Sequence, residues 1–161
     1  MSDTNTSSLF TNDLGSALGP PLIGALLRMP TEAVRARMLA RLREEGFTDF
    51  DAAHTRVFQY PGPQGMRPSD LAVQLGISKQ ALNYQLGELE RMGYVERRPH
   101  PDDLRAKQVV LTERGIAAGR AMRAAVIEVE AEWAELLGPD RFARLRELLL
   151  DLDRLTHAPR D

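Results

Sequence analysis

Residues 66–112, MRPSDLAVQLGISKQALNYQLGELERMGYVERRPHPDDLRAKQVVLT, decide the fold. Pro68-Ser69-Asp70 is a helix start: proline is tolerated in a first turn, where its missing N–H has no intrahelical partner, and Asp70 complements the positive end of the helix dipole. Leu71 and Leu75 share a face one turn apart, and Gly76 supplies the left-handed residue that stops a helix. Ile77 plugs the turn into the core, and Ser78 caps the helix that follows. That second helix carries Leu82, Leu86 and Leu89 at i, i+4 and i+7, one stripe that has to be buried. At roughly 100° per residue, Gln80, Tyr84, Gly87 and Arg91 point away from the stripe, with Lys79 and Asn83 on its flanks. Two helices joined by so short a turn form a helix-turn-helix.

A basic β-hairpin follows directly. Tyr94-Val95 and Val109-Val110-Leu111 are β-formers bracketing a polar tip, Pro99-His100-Pro101-Asp102-Asp103-Leu104. Arg97, Arg98, Arg105 and Lys107 flank that tip, where an extended hairpin lays cations along a phosphate strand or puts one into the minor groove. On the helix before it, Gln80 and Asn83 have the amides that pair bidentately with adenine, and Lys79 reaches guanine or phosphate. Gly87 lets the helix backbone approach a surface closely. A helix-turn-helix followed at once by such a hairpin is a tool for reading double-stranded DNA. The competing reading is a winged helix that binds only another protein, through an exposed patch of Tyr84, Tyr94 and Leu104.

The segment LAVQLGISKQALNYQLGELERMGYVER (residues 71–97), then Asp103-Leu104-Arg105-Ala106-Lys107 and Leu111-Thr112-Glu113-Arg114-Gly115, resembles the MarR family of winged-helix transcription regulators. The resemblance covers nearly everything after residue 20. It implies that the wing-tip Asp103 pairs with and orients Arg105, and that Arg105 enters the minor groove; Leu104 stands where relatives carry a polar or basic residue. The expected DNA contacts are therefore Ser78, Lys79, Gln80, Asn83, Tyr84, Arg91, Arg97, Arg98, Asp103, Arg105 and Lys107. Expected partners are a near-palindromic duplex operator and a second copy of the chain, in a homodimeric repressor whose N- and C-terminal helices interlock.

The chain has 161 residues, enough to bury roughly 70% of its unfolded surface in a single core. It contains no cysteine, which fits a reducing cytoplasm and excludes the thiol-based peroxide sensing of some MarR-family members. No apolar stretch approaches the roughly 20 residues that span a bilayer, and MSDTNTSSLFTNDLGS lacks a signal peptide's basic start and apolar centre. A soluble cytoplasmic protein without a membrane partner is expected. The net charge of −2 argues against indiscriminate attraction to phosphate, but charge distribution matters more than the sum. From Ser78 to Lys107 there are six basic and five acidic residues, so binding should rest on placed contacts and dimer symmetry.

The fold expected is mainly α with a small β-hairpin wing: a winged helix-turn-helix plus N- and C-terminal dimerisation helices. Residues 1–20 read as a flexible arm, in which Leu9, Phe10 and Leu14 are the groups able to dock on a partner. Residues 21–47 read as N-terminal dimerisation helices kinked or split at Pro30, with Arg28, Arg35, Arg37, Arg41 and Arg43 on a solvated face. Residues 48–112 form the DNA-binding region. It opens with a helix over 48–60, capped by Thr48 or Asp49, apolar along Phe50, Ala53, Val57 and Phe58, and ended by Pro61-Gly62-Pro63-Gln64-Gly65. Met66 and Arg67 predict a short strand against the wing. Residues 113–161 make a helical hairpin, with Thr112 as first cap, Gly138 as stop and Pro139 as restart. Its stripe of Ile116, Met122, Val126, Val129, Trp133, Leu137, Phe142, Leu145, Leu148, Leu149, Leu152 and Leu155 is too apolar to stand uncovered.

The sequence offers no active site. His54, His100 and His157 are too far apart for a local zinc spacing, and GxSxG, P-loop and strand-to-helix GxGxxG motifs are absent. No enzyme activity, metal or cofactor is expected, and His54 reads first as a satisfied helix residue. The MarR resemblance implies a small aromatic or amphipathic effector bound between the dimer helices and the winged helix, and Arg28, His54, Phe58 and Tyr60 are the candidate lining residues.

Overall fold

The computed structural model describes residues 20–58 and 64–157. The expectations for the N-terminal arm, for Tyr60 and for Pro61-Gly62-Pro63 concern residues outside that set, as do those for the side chains of Leu104 and His157. The chain forms two compact units, residues 1–33 and 34–161.

In the first unit, the N-terminal turns of helix α1 (Ile23–Glu44) leave Leu22, Ile23, Leu26, Leu27 and Met29 exposed, and Arg28 lies 3.6 Å from Glu32 one turn on. Of the kink or split expected at Pro30, the split does not occur: α1 is one helix of 22 residues with the proline inside it. Pro30 removes one i→i−4 bond. The bonds on either side continue, and the Thr31 hydroxyl donates to the Leu27 carbonyl at 2.8 Å.

The second unit contains the rest of α1, then α2 (Ala52–Phe58), α3 (Pro68–Leu75), α4 (Lys79–Arg91), strands β1 (Val95–His100) and β2 (Asp103–Leu111), α5 (Glu113–Leu137) and α6 (Pro139–His157). Helix α2 starts at Ala52 rather than at the expected residue 48, and its cap is neither Thr48 nor Asp49. Asp51 Oδ1 accepts from the Ala53 and His54 backbone N–H groups at 2.8 and 3.1 Å. Ala53 is exposed, and the buried side of α2 is His54, Thr55, Val57 and Phe58.

The helix-turn-helix forms as its residues dictate. Gly76 sits at φ 62°, ψ 35°, its N–H closing α3, and Ser78 Oγ accepts from Ala81 N at 3.1 Å to open α4. Arg56 of α2 donates to the Leu75 carbonyl at 2.7 Å, satisfying an orphan acceptor at the end of α3. Leu71, Leu75, Leu82, Leu86 and Leu89 are buried together with Leu42, Val95 and Val109. Each such side chain contributes roughly 1.5–3 kcal/mol by leaving water.

The hairpin is tighter than its sequence suggests. Strands β1 and β2 pair antiparallel from Val95 with Leu111 to Pro99 with Lys107, then shift register so that His100 pairs with Asp103. Only Pro101 and Asp102 remain as the turn, rather than the six-residue tip expected from composition, and Leu104-Arg105-Ala106 bulge from β2. Met66 alone forms the extra bridge, exchanging backbone bonds with Val109 at 3.0 and 2.8 Å.

Thr112 Oγ1 accepts from Gly115 N at 3.0 Å, opening the 25-residue α5, which ends at Gly138. Arg37 and Arg41 are not a plain solvated face. Arg37 donates to both Glu132 oxygens at 2.8 and 3.0 Å, and Arg41 to both Glu128 oxygens at 2.5 and 2.6 Å, tying α1 to α5. No residue of α6 whose side chain is described is buried: Leu145, Leu148, Leu149, Leu150, Leu152 and Leu155 are all exposed.

Candidate nucleic-acid interface

The outward side of α4 follows from its buried leucines. Lys79, Gln80, Asn83, Tyr84 and Arg91 are exposed, Tyr84 at 69%, while Leu82, Leu86 and Leu89 are at 1% or less. Tyr84 donates to Glu88 Oε1 at 3.3 Å, and Arg91 lies 3.6 Å from the same oxygen. Lys79 has no ion pair with a described residue. A small cleft of about 120 Å³ opens between the starts of α3 and α4, lined by Pro68, Ser69, Lys79, Leu82 and Asn83.

Along the wing, the two-residue alternation of β1 separates cations that sequence composition groups together. Arg97 pairs across the ladder with buried Val109 and therefore faces α4. Its Nη2 donates to Asn83 Oδ1 at 3.3 Å, and its Nε is buried, 3.7 Å from Glu90 and without a hydrogen bond. Arg98 takes the opposite face, exposed and paired with Glu96. In the bulge, Asp103 Oδ1 accepts from the Arg105 backbone N–H at 3.1 Å. The link between these residues thus runs through the main chain, and the Arg105 and Lys107 side chains make no ion pair with a described residue.

Tyr94 is fully buried, so it is absent from the exposed patch that the protein-binding reading needs. Its hydroxyl donates to Asp49 Oδ1 at 2.5 Å, and Arg114 Nη2 donates to both Asp49 oxygens at 2.9 Å. Arg114 also lies over the Tyr94 ring, 4.4 Å from its centroid, and gives Nη1 to the Met92 carbonyl at 2.6 Å. Burial opposes the charge on Asp49, yet the Tyr94 hydrogen bond and the Arg114 cation hold its carboxyl below the ordinary value. Burial, and then Asp49, push the Tyr94 phenol up to about 12. This knot fastens the start of α5 to the junction of α4 and the wing. Gly115 belongs to it, since a Cβ there would overlap the Tyr94 carbonyl oxygen. Sequence reasoning missed it because Asp49 looked like a helix cap.

Two of the four expected effector residues, His54 and Phe58, belong to the second unit. His54 is 5% exposed and held between carboxylates, Nδ1 at 3.0 Å from Asp51 and Nε2 at 3.4 Å from Glu88. Arg28 belongs to the first unit, beside Glu32, and Tyr60 lies outside the described residues. Phe58 does line a cavity of about 340 Å³, together with Met38, Leu111, Gly119, Met122, Arg123 and Val126. The signal for this cavity in the sequence is Gly119, a glycine in a helix interior, where it costs about 1 kcal/mol against alanine. A Cβ there would come within 3.7 Å of the Phe58 ring.

Residues 49–106 match the family model for the MarR family. A search of curated proteins gave no match. Among solved structures, the apo form of MarR from E. coli is 25% identical at a TM-score of 0.65, the match covering 83% of this chain and 98% of that one. The transcriptional repressor CouR, bound to a 23-mer DNA duplex, is 26% identical at 0.62, covering 83% and 93%. The transcriptional regulator PA4135 is 28% identical at 0.64, covering 86% and 99%. A helix-turn-helix with its wing, matched by that model and set in a fold shared with these structures, makes the winged helix of this chain similar to those of MarR-family transcription regulators.

Proposed function

We propose that this protein is a non-enzymatic, cytoplasmic, homodimeric repressor that reads a near-palindromic duplex operator and responds to a small aromatic or amphipathic effector. The observation that carries the DNA reading is the exposed polar side of α4, with Lys79, Gln80, Asn83 and Tyr84, beside a wing whose Arg105 and Lys107 are free of ion pairs with described residues. In this reading Ser78, Lys79 and Arg91 meet the phosphate strands, while Gln80, Asn83 and Tyr84 meet base edges. Arg98, Arg105 and Lys107 extend the contact along the wing, with Asp103 holding the bulge. CouR, a structural neighbour, is a repressor bound to DNA, which supports the class of partner.

The homodimer is supported by the uncovered leucines of α6, which a monomer would leave in water. For the effector, the cavity beside Phe58 is a better candidate than the set expected from sequence, because its wall is apolar except for Arg123. An apolar body with one anionic group suits it. Gel-shift titration on randomised duplex DNA over a salt series tests the proposal. Saturable binding that weakens as salt rises, with specific sequences enriched, is expected; binding to protein partners without any duplex affinity would replace it.

A further inference from the structure

Arg97 sits where a cation for phosphate was expected, yet the structure gives it different work. Its side chain is only 28% exposed, its Nε is buried, and the ladder turns it onto α4, where Glu90 and Asn83 receive it. Guanidinium has donors and no acceptor, so the Asn83 atom it meets has to be the amide oxygen, whichever way the amide is drawn. Asn83 itself is exposed on the outward side of α4. With its oxygen held back against β1, the group it offers outward is the NH2.

We infer that Arg97 is a positioning residue for base recognition: by holding the Asn83 oxygen it converts an adenine-type amide into a donor that selects an acceptor edge, guanine N7/O6 or thymine O4. This deepens, and rests on, the reading of α4 as a DNA-reading helix. Bidentate recognition of adenine needs the amide oxygen and nitrogen side by side, one accepting from N6 and the other donating to N7. An oxygen engaged by Arg97 is turned out of that edge, while the NH2 retains its hydrogens for an acceptor. Glu90 belongs to the device because it neutralises the guanidinium and sets its place on the far side.

The test is sequence selection from a randomised duplex library with the full-length protein and the Asn83→Ala, Asn83→Asp, Arg97→Leu and Arg97→Gln variants, each checked for a cooperative melt. Asn83→Ala identifies the base pair read by Asn83, by flattening the preference there. At that pair the wild-type protein should prefer guanine or thymine, and either Arg97 variant should shift the preference toward adenine by roughly tenfold, leaving other positions unchanged. Asn83→Asp leaves Arg97 its partner but removes the donor, and should move the preference to a base offering an amine, cytosine N4 or adenine N6. If both Arg97 variants lose affinity for all sequences alike, with a shallower salt slope and an unaltered profile, Arg97 is a phosphate contact and the inference is overturned. A wild-type preference for adenine at the Asn83 pair would overturn it equally. A library from which the wild-type protein enriches nothing would instead remove the DNA-reading proposal, and this inference with it.

Discussion

At Tyr94, one side chain joins the end of α4, the loop before α2 and the first turn of α5. Its ring packs edge-on against Phe50 at 5.0 Å and Phe58 at 6.1 Å, and its hydroxyl ends on the carboxylate that Arg114 also holds. The signs of the two shifts fix how this knot responds to pH. Asp49, held low, contributes stability that is present above the ordinary carboxylate value near pH 4 and is lost as pH falls through its depressed folded value. Tyr94, raised to about 12, contributes stability that is complete below the ordinary phenol value near pH 10. That part is lost as pH rises toward its folded value. Tyr94→Phe should therefore cost roughly 1.5–3 kcal/mol at neutral pH and flatten the alkaline limb, because a hydrogen bond to a charged group disappears. Asp49→Asn should flatten the acid limb. Urea unfolding midpoints across pH measure both, and a Tyr94→Phe profile parallel to wild type above pH 10 would contradict the assignment.

Among the elements, the wing separates roles that its composition merges. Period-two alternation sends Arg97 inward and Arg98 outward, and the bulge after Asp103 carries Arg105 away from the paired ladder. Arg105→Ala should weaken binding to every sequence and lower the salt slope by about 1, without altering the selected-site profile. Equal affinity of this variant and wild type over a salt series would show that the bulge does not touch the duplex. The helix-turn-helix was legible from a few residues: Pro68, Gly76, Ser78 and the leucine stripe each act within a turn or two of chain. The wing's register was not. It depends on which residues of two strands meet, and the polar tip Pro99–Leu104 hid strand residues that pair only because the hairpin closes on Pro101-Asp102.

For the whole molecule, the uncovered face of α6 sets the expectation of a dimer. Leu145, Leu148, Leu149, Leu152 and Leu155 are exposed by 39–74%, a contiguous apolar stripe of the kind that marks an association surface. Light scattering should give twice the 18.0 kDa chain mass at micromolar concentration. The operator should then be a near-palindrome with half-site centres about 10 bp apart. Removing residues 139–161 should cause aggregation or loss of specific binding with the winged helix intact. A stable monomer occupying a palindrome as a single copy would refute the dimer.

What the sequence alone determined is local. Helix starts and stops, the buried face of α4 and the long helix from Thr112 to Gly138 depend on residues within a few positions of one another, where capping and periodicity act directly. Tertiary structure decided the partners of polar groups. Asp49 meets Arg114 across 65 residues, Arg37 meets Glu132 across 95, and Arg97 reaches Asn83 rather than solvent. Such pairings follow from which faces the packed core brings together. A charged side chain carries no mark, in sequence, of whether it will face water or another charge.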